Sequence, residues 1–144
     1  MIETIKHLKA LLPCEQFVLT GSLALHYMGL SPQPNDIDVI LVNPTDESKN
    51  IVKRLSEQHP AATQFNYPDQ KGSIFMLNGV KVDVFFSDKK RESHLTIEGV
   101  NISTVPKIIE AKKSYNRMKD WVQLRKISRT IFKEEEFTNF LNNM

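Results

Sequence analysis

The chain has 144 residues, of which 40% are hydrophobic and 25% are charged. The length predicts one domain, and the composition is typical of a soluble globular protein. The formal net charge of +2 is too small to indicate a partner. Cys14 is the single cysteine, which excludes an internal disulfide and a cysteine-based zinc site and favours the reducing cytoplasm. No stretch approaches the roughly 18 apolar residues that a membrane-spanning helix needs, and we expect neither a signal peptide nor a membrane partner.

The first quarter of the chain predicts a helix, a strand and a second helix. Apolar residues recur at helical spacing over residues 2–12, and Pro13 ends that helix. Residues 17–20 predict a short buried strand. Ser22 can then cap a helix that stops at Gly29.

The middle of the chain predicts a further strand, a helix and a hairpin. Residues 36–42 are rich in β-branched side chains, which favour a strand, and residues 48–59 have helical spacing. Asn78-Gly79 lies between the apolar runs 73–77 and 80–86, and this dipeptide is the strongest short hairpin signal in the chain.

The last part predicts a short hairpin over residues 95–102 around Glu98-Gly99, and helices after Pro106. These helices have joints near residues 116–119 and near Lys133. One packing face is predicted, formed by Trp121, Val122, Leu124 and Ile127. Tyr27 and Tyr115 are expected in the core rather than stacked on a base.

The order of these elements predicts an α/β (α+β) fold, a mixed sheet flanked by helices with further helices at the C-terminus. We expect a core over residues 1–104 and a helical segment over residues 105–144 that packs on it as one structural domain. Between residues 105 and 133 the chain has nine basic and two acidic residues. This segment is either a solvated helix surface or a basic wall that faces a polyanion.

Three aspartates are the candidate metal ligands. Asp36 and Asp38 are two apart on a predicted strand, so they share one face, about 6.6 Å apart along the chain. Asp83 lies between apolar residues on a later strand, where a lone acid is costly unless it is paired or bound to metal. If the two strands are neighbours, the three carboxylates converge and can hold two divalent ions, because Mg²⁺ prefers oxygen ligands.

Other interpretations of these acids are a turn or strand-start residue for Asp36, a lysine partner for Asp38 and a solvent-facing position for Asp83. The sequence excludes three common alternatives. "VIL" follows Asp38 where an EF-hand loop needs oxygen ligands, and neither a Walker-type phosphate loop nor an HExxH motif occurs.

Residues 19–86 resemble the signature of the nucleotidyltransferase superfamily with the DNA polymerase β-like fold. That signature is a Gly-Ser pair after a strand, a helix, Asp-x-Asp on the next strand and a third Asp on a later strand. Here it corresponds to "TGSLALHYMGLSPQPNDIDVILV" and "VKVDVFF". The resemblance implies that Asp36, Asp38 and Asp83 are the catalytic and metal-binding residues, and that Gly21 and Ser22 bind nucleotide phosphates.

A second stretch, "VPKIIEAKKSYNRMKDWVQL", resembles the helical segment of minimal bacterial nucleotidyltransferases. These include the toxins of type IV (abortive-infection) toxin–antitoxin systems. The resemblance implies that Lys112 contacts phosphate and that Asp120 belongs to the nucleotide site. By register Lys113 is an equal candidate for the phosphate contact. Two alternatives stay open: Lys112 is an exposed lysine on a helix, and Asp120 is a cap at the start of a helix.

Together these observations predict a cytoplasmic, Mg²⁺-dependent nucleotidyltransferase, with two Mg²⁺ ions and Mn²⁺ as the alternative metal. It would transfer a nucleoside monophosphate from ATP or another nucleoside triphosphate to a hydroxyl of RNA (a tRNA, for instance), a protein or a small molecule. The resemblance adds an antitoxin or self-association as the partner. Alternatives are a non-catalytic nucleotide-binding regulatory module of the same fold and a sugar-nucleotide glycosyltransferase. The sequence identifies neither the base nor the acceptor.

Overall fold

The computed structural model describes residues 1–58, 64–67, 70–88, 94–97, 99–131 and 142–143. The helices of this part are α1 (Ile2–Leu11), α2 (Gly21–Tyr27), α3 (Asp46–Glu57), α4 (Val105–Tyr115) and α5 (Met118–Ile131). The strands are β1 (Cys14–Thr20), β2 (Asp36–Pro44), β3 (Gln64–Tyr67), β4 (Gln70–Leu77), β5 (Val80–Ser87), β6 (His94–Ile97) and β7 (Val100–Ser103).

These strands form a mixed seven-stranded sheet in the order β3-β4-β5-β2-β1-β7-β6. Strand β2 is antiparallel to β1 and parallel to β5, while β1 is parallel to β7. The other neighbours, β3 with β4, β4 with β5, and β6 with β7, are antiparallel. The predicted α/β class with a mixed sheet flanked by helices is therefore confirmed.

Alternation along β2 separates the core from the opposite face of the sheet. Ile37, Val39 and Leu41 are buried in one apolar cluster with side chains of α1, α3, β1 and β5. Asp36 and Asp38 point to the other face, because successive side chains of a strand alternate. The sequence pattern of β2 alone therefore decides that the acids face away from this core.

Glycine and asparagine set the sharp reversals of the chain. Asn78 and Gly79 have φ angles of 52° and 75°, as a two-residue type I′ hairpin requires, and they connect β4 to β5 as predicted. Asn116, at φ 54°, ends α4 at the predicted joint. The joint returns the chain so that α5 can lie against α4.

Helices α4 and α5 join a second apolar cluster on the sheet and α2. Its buried members are Ala24, Leu25, Ile102, Ile108, Ile109, Leu124 and Ile127. Leu124 and Ile127 confirm half of the predicted packing face of α5. The division of the chain at residue 104 stays a prediction.

Several predicted details were wrong. Ser22 does not cap α2, which begins at Gly21 after Thr20 and has no side-chain cap. Helix α3 begins at Asp46 rather than Ser48, because the Thr45 hydroxyl accepts a hydrogen bond from the Ser48 N–H at 3.1 Å. Trp121 and Val122 are 40% and 48% exposed rather than packed.

Strand β3 was not predicted, since four residues are too few to show a periodicity. The predicted helix end at His59, the turn residue Glu98 and the joint near Lys133 lie outside the described residues. None of the described helices is both long and apolar enough to cross a membrane.

Candidate active site

The register of three neighbouring strands brings the predicted acids together. Thr20 of β1 lies opposite Asp38 of β2, and Asp38 lies opposite Asp83 of β5. Asp36 is two residues before Asp38 on the same face. One carboxylate oxygen from each of the three aspartates lies within 4.8 Å of the others, a spacing at which one metal ion can be shared.

The negative charge of this cluster is incompletely compensated. Desolvation raises the pKa of Asp38 well above its ordinary value, and the hydrogen bond to Asp83 and the charges of Asp83 and Asp36 raise it further, while Lys112 opposes them. Buried Asp83 Oδ1 has no hydrogen-bond partner within the described part of the chain. Lys81 Nζ, on a largely exposed side chain, lies 4.0 Å from that oxygen.

These observations fit a divalent cation. All three groups offer carboxylate oxygens, which are the ligands that Mg²⁺ takes. A cation among them would satisfy the unpaired oxygen of Asp83 and offset the mutual repulsion of the three carboxylates. Asp36, Asp38 and Asp83 are thus the described residues that could hold the metal.

Gly21 is placed directly against Asp38. Its φ is +64°, and a Cβ built there would clash with Asp38 Oδ2 and lie 3.3 Å from Asp38 Cγ. Only glycine fits, because both the backbone conformation and the space exclude a side chain. The resemblance implied that Gly21 binds phosphate, and the structure adds that this glycine allows close approach of the Asp38 carboxylate.

Lys112 and Asp120 form a buried ion pair on the helical side of the cleft. They are 6% and 1% exposed, and Lys112 Nζ lies 3.6 Å from Asp120 Oδ1. Arg117 donates to both Asp120 oxygens, from Nε at 2.6 Å and from Nη2 at 3.1 Å. The side chain of Asp120 is therefore held by two cations, and it also accepts a hydrogen bond from the Arg117 backbone N–H just before α5, as the helix-start cap left open by the sequence would.

The pKa values of both Lys112 and Asp120 are shifted downward, for different reasons. Burial lowers the pKa of Lys112 more than the nearby carboxylates of Asp120 and Asp38 raise it. Burial alone would raise the pKa of Asp120, but the hydrogen bonds and charge of Arg117 and the charge of Lys112 lower it overall. Asp120 is thus held as a carboxylate beside the ammonium group of Lys112.

Gln123 is a residue that the sequence interpretation missed. Its side-chain Nε2 donates to Ser22 Oγ at 2.7 Å, and its Oε1 accepts from Lys112 Nζ. The only available signal was its position, three residues after Asp120 on α5, which places the two side chains on one helix face. Ser22 and Lys112, both predicted from sequence, are joined through it.

A cleft of about 780 Å³ contains all of these groups. It is lined by Gly21, Ser22, the three aspartates, Lys112, Asp120 and Gln123, with apolar walls that include Phe85 and Ile108. Lys112 is part of this lining. Lys113, which the structure also describes, is not. The volume is within the range of about 300–1,000 Å³ typical of small-molecule sites.

The outer end of the cleft carries exposed side chains of the joint between α4 and α5. Met118 is 83% exposed and lines the cleft together with Val122. Tyr115 also lines it, with Arg117 Cζ 5.1 Å from the centre of its ring. The expected core position was wrong for Tyr115, whereas Tyr27 packs on the apolar clusters as predicted.

Two solved structures have a fold similar to that of this chain. A protein of Thermotoga maritima that is described as a nucleotidyltransferase superimposes with a TM-score of 0.54 at 16% identity, covering 87% of this chain and 90% of its own. ANT(2″)-Ia, in complex with adenylyl-2″-tobramycin, superimposes with a TM-score of 0.53 at 16% identity, covering 95% and 90%. The chain has the nucleotidyltransferase fold. No family model and no curated protein sequence matches it.

Proposed function

We propose that this protein is a metal-dependent nucleotidyltransferase that moves a nucleoside monophosphate from a nucleoside triphosphate to a hydroxyl group. The observation that carries the proposal is the meeting of Asp36, Asp38 and Asp83 on one face of the sheet, within a cleft that also contains Lys112. The nucleotidyltransferase fold of the chain supports it.

Asp36, Asp38 and Asp83 would hold two Mg²⁺ ions, or Mn²⁺ in their place. When bound, such ions stabilise phosphoryl charge and lower the pKa of a hydroxyl nucleophile. Asp83 has a further role in this proposal. Besides holding metal, the carboxylate of Asp83 would serve as the general base for the attacking hydroxyl.

The opposite side of the cleft would bind the triphosphate. Lys112 presents a buried ammonium group that can neutralise phosphate charge. Ser22 presents a hydroxyl and Gly21 a backbone without a side chain. Asp120 would act through Lys112, because both of its oxygens are engaged by Arg117 and one also faces Lys112.

ATP is the donor that we propose first, because ANT(2″)-Ia is bound to an adenylylated product. The acceptor classes that follow from the sequence are RNA, a protein and a small molecule. The proposal also includes a toxin role with an antitoxin partner, self-association and a cytoplasmic location. These three points rest on the sequence alone.

Incubation with each α-labelled nucleoside triphosphate, Mg²⁺ and total cell extract tests the function. We expect label to enter one fraction, either RNA, protein or small molecules, and to disappear with chelator and in the Asp36→Asn/Asp38→Asn variant. Asp88→Asn is the matched control, because Asp88 is exposed and lies outside the cleft lining.

The absence of labelled product with wild-type protein would contradict catalysis. In that case calorimetric binding of Mg²⁺ and a triphosphate would favour the regulatory module. Turnover of a sugar nucleotide would favour the glycosyltransferase.

A further inference from the structure

Gln123 is the one described side chain that hydrogen-bonds to both Ser22 and Lys112. It comes from α5, whereas Ser22 lies in the first turn of α2 and Lys112 lies on α4. A single amide group therefore connects three helices at the cleft, and its position next to the proposed phosphate-binding groups has a chemical consequence.

The direction of both hydrogen bonds is forced by Lys112. An ammonium group can only donate, so the carbonyl oxygen of the Gln123 amide must face it. The amide nitrogen then faces Ser22, and an amide nitrogen can only donate. The Ser22 oxygen must consequently accept, and the choice between the two amide orientations is decided by chemistry rather than by the shape of the group.

Because the Ser22 oxygen accepts the hydrogen bond from Gln123, the Ser22 hydroxyl proton is available for a hydrogen bond to another group. Within the described residues, no side chain or carbonyl accepts a hydrogen bond from Ser22 Oγ. Ser22 lines the cleft, so an anion there could receive this proton in a hydrogen bond. If Gln123 were an acceptor instead, the hydroxyl would turn to it and the cleft would lose a donor.

We propose that Gln123 is a positioning residue that sets the Ser22 hydroxyl as a donor to the triphosphate and aligns the Lys112 ammonium group with it. This inference rests on the proposed function. It adds that the two phosphate contacts are coupled, since one amide orientation serves both. It also makes the docking of α5 on α2 a condition for triphosphate binding.

Gln123→Glu reverses the direction of the hydrogen bond to Ser22, because a carboxylate cannot donate and the Ser22 hydroxyl must then donate to it. We expect its dissociation constant for inorganic tripolyphosphate with Mg²⁺, measured by calorimetry, to rise roughly tenfold or more, as for a lost hydrogen bond to a charged group. In transfer assays the KM for the triphosphate should rise more than kcat falls. Gln58→Glu is the matched control, since Gln58 is exposed and outside the cleft lining, and it should bind as the wild type does.

The added negative charge of Gln123→Glu also repels phosphate, and a double-mutant cycle separates this effect. In the Ser22→Ala background no hydroxyl remains to be turned, so Gln123→Glu should weaken binding by a clearly smaller factor. The same factor in both backgrounds would contradict the proposal.

Gln123→Leu covers the case in which the glutamate variant does not fold. Leucine removes both hydrogen bonds without adding charge, and thermal melting checks that the variant is folded. We expect weaker tripolyphosphate binding, with a smaller further loss in the Ser22→Ala background. Wild-type affinity in this variant, or no binding by the wild-type protein, would overturn the inference.

The two proposals fail in different ways. Tripolyphosphate binding that depends on Gln123, without any nucleotide transfer, would support this inference and contradict the enzyme. Nucleotide transfer with unchanged binding in the Gln123 variants would do the reverse.

Discussion

Asp38 and Asp120 line the same cleft, but their carboxyl pKa values are shifted in opposite directions. Burial raises the pKa of both groups, and the neighbours decide the outcome. Asp83 and Asp36 surround Asp38 with further negative charge. Arg117 and Lys112 surround Asp120 with positive charge.

The difference separates a cluster of carboxylates that repel one another from a carboxylate that is held by neighbouring cations. On the sheet side, three carboxylates lie together and Asp83 Oδ1 has no hydrogen-bond partner in the described part of the chain. On the helix side, Asp120 is bound by Arg117 and faces Lys112. We infer that the sheet side accepts cations, while the ion pair on the helix side stabilises the fold and holds Lys112.

Asp38→Asn tests the sheet side and should have the largest effect. We expect nucleotide transfer to fall by more than about a hundredfold, because even indirect partners of a metal contribute about 10- to 100-fold. The measurement is transfer rate against Mg²⁺ concentration. Full activity at high Mg²⁺ would show that Asp38 does not hold the metal.

Lys112→Ala tests whether Lys112, rather than the neighbouring Lys113, contacts the phosphates of the nucleotide. We expect kcat/KM for the triphosphate to fall by about 10²-fold, as for removal of one preorganised charge-stabilising group. Lys113→Ala is the matched control, because Lys113 does not belong to the cleft lining among the described residues. Equal losses in the two variants would remove the distinction between these lysines.

Asp120→Asn tests whether the helix-side pair is structural. Removing the charge of Asp120 leaves buried Lys112 without its ion-pair partner, and we expect a loss of about 3 kcal/mol in the free energy of unfolding. Denaturant unfolding measures it. Without metal, Asp38→Asn should instead stabilise the protein, since it removes repulsion. The same sign for both variants would contradict the comparison.

The pH dependence of stability should also differ between the two aspartates, with a smaller effect. Asp38 has a raised pKa in the folded state, so its unfavourable contribution grows as pH rises above the ordinary value of 3.8. The stability advantage of Asp38→Asn should therefore grow over that range. Asp120 has a lowered pKa, so its stabilising contribution is present above 3.8 and is lost as pH falls through the folded-state value.

Melting temperatures recorded without metal across this range check both trends. Added Mg²⁺ should abolish the trend for Asp38, because the bound cation replaces the proton. It should leave the trend for Asp120 unchanged. A metal-independent Asp38 trend would contradict the proposed metal site.

Local chemistry explains why much of the sheet side was predictable. The alternation of side chains along residues 36–42 puts Asp36 and Asp38 on one face whatever the strand pairs with. Asn78-Gly79 selects a tight hairpin and so places Asp83 inside a strand. Strand β3 escaped prediction because its four residues show no period.

The helix side depended on long-range contacts and was only partly predictable. The motif left Lys112 and Lys113 as equal candidates, and the packing of α4 turned Lys112 into the cleft. Ser22 was predicted as a cap, yet its observed partner is Gln123, far along the chain on α5. Trp121 and Val122 have apolar side chains at helical spacing, but α5 leaves them exposed.

The sequence by itself determined which residues carry charge, that Asp36 and Asp38 share one face of β2, and where the chain turns. These properties follow from side-chain alternation and from the φ angles that Asn and Gly tolerate. Only the tertiary structure decided that Asp38 lies opposite Asp83 and that Gln123 joins Ser22 to Lys112. Strand register and helix docking are chosen by the packing of the whole core, and no local pattern contains that information.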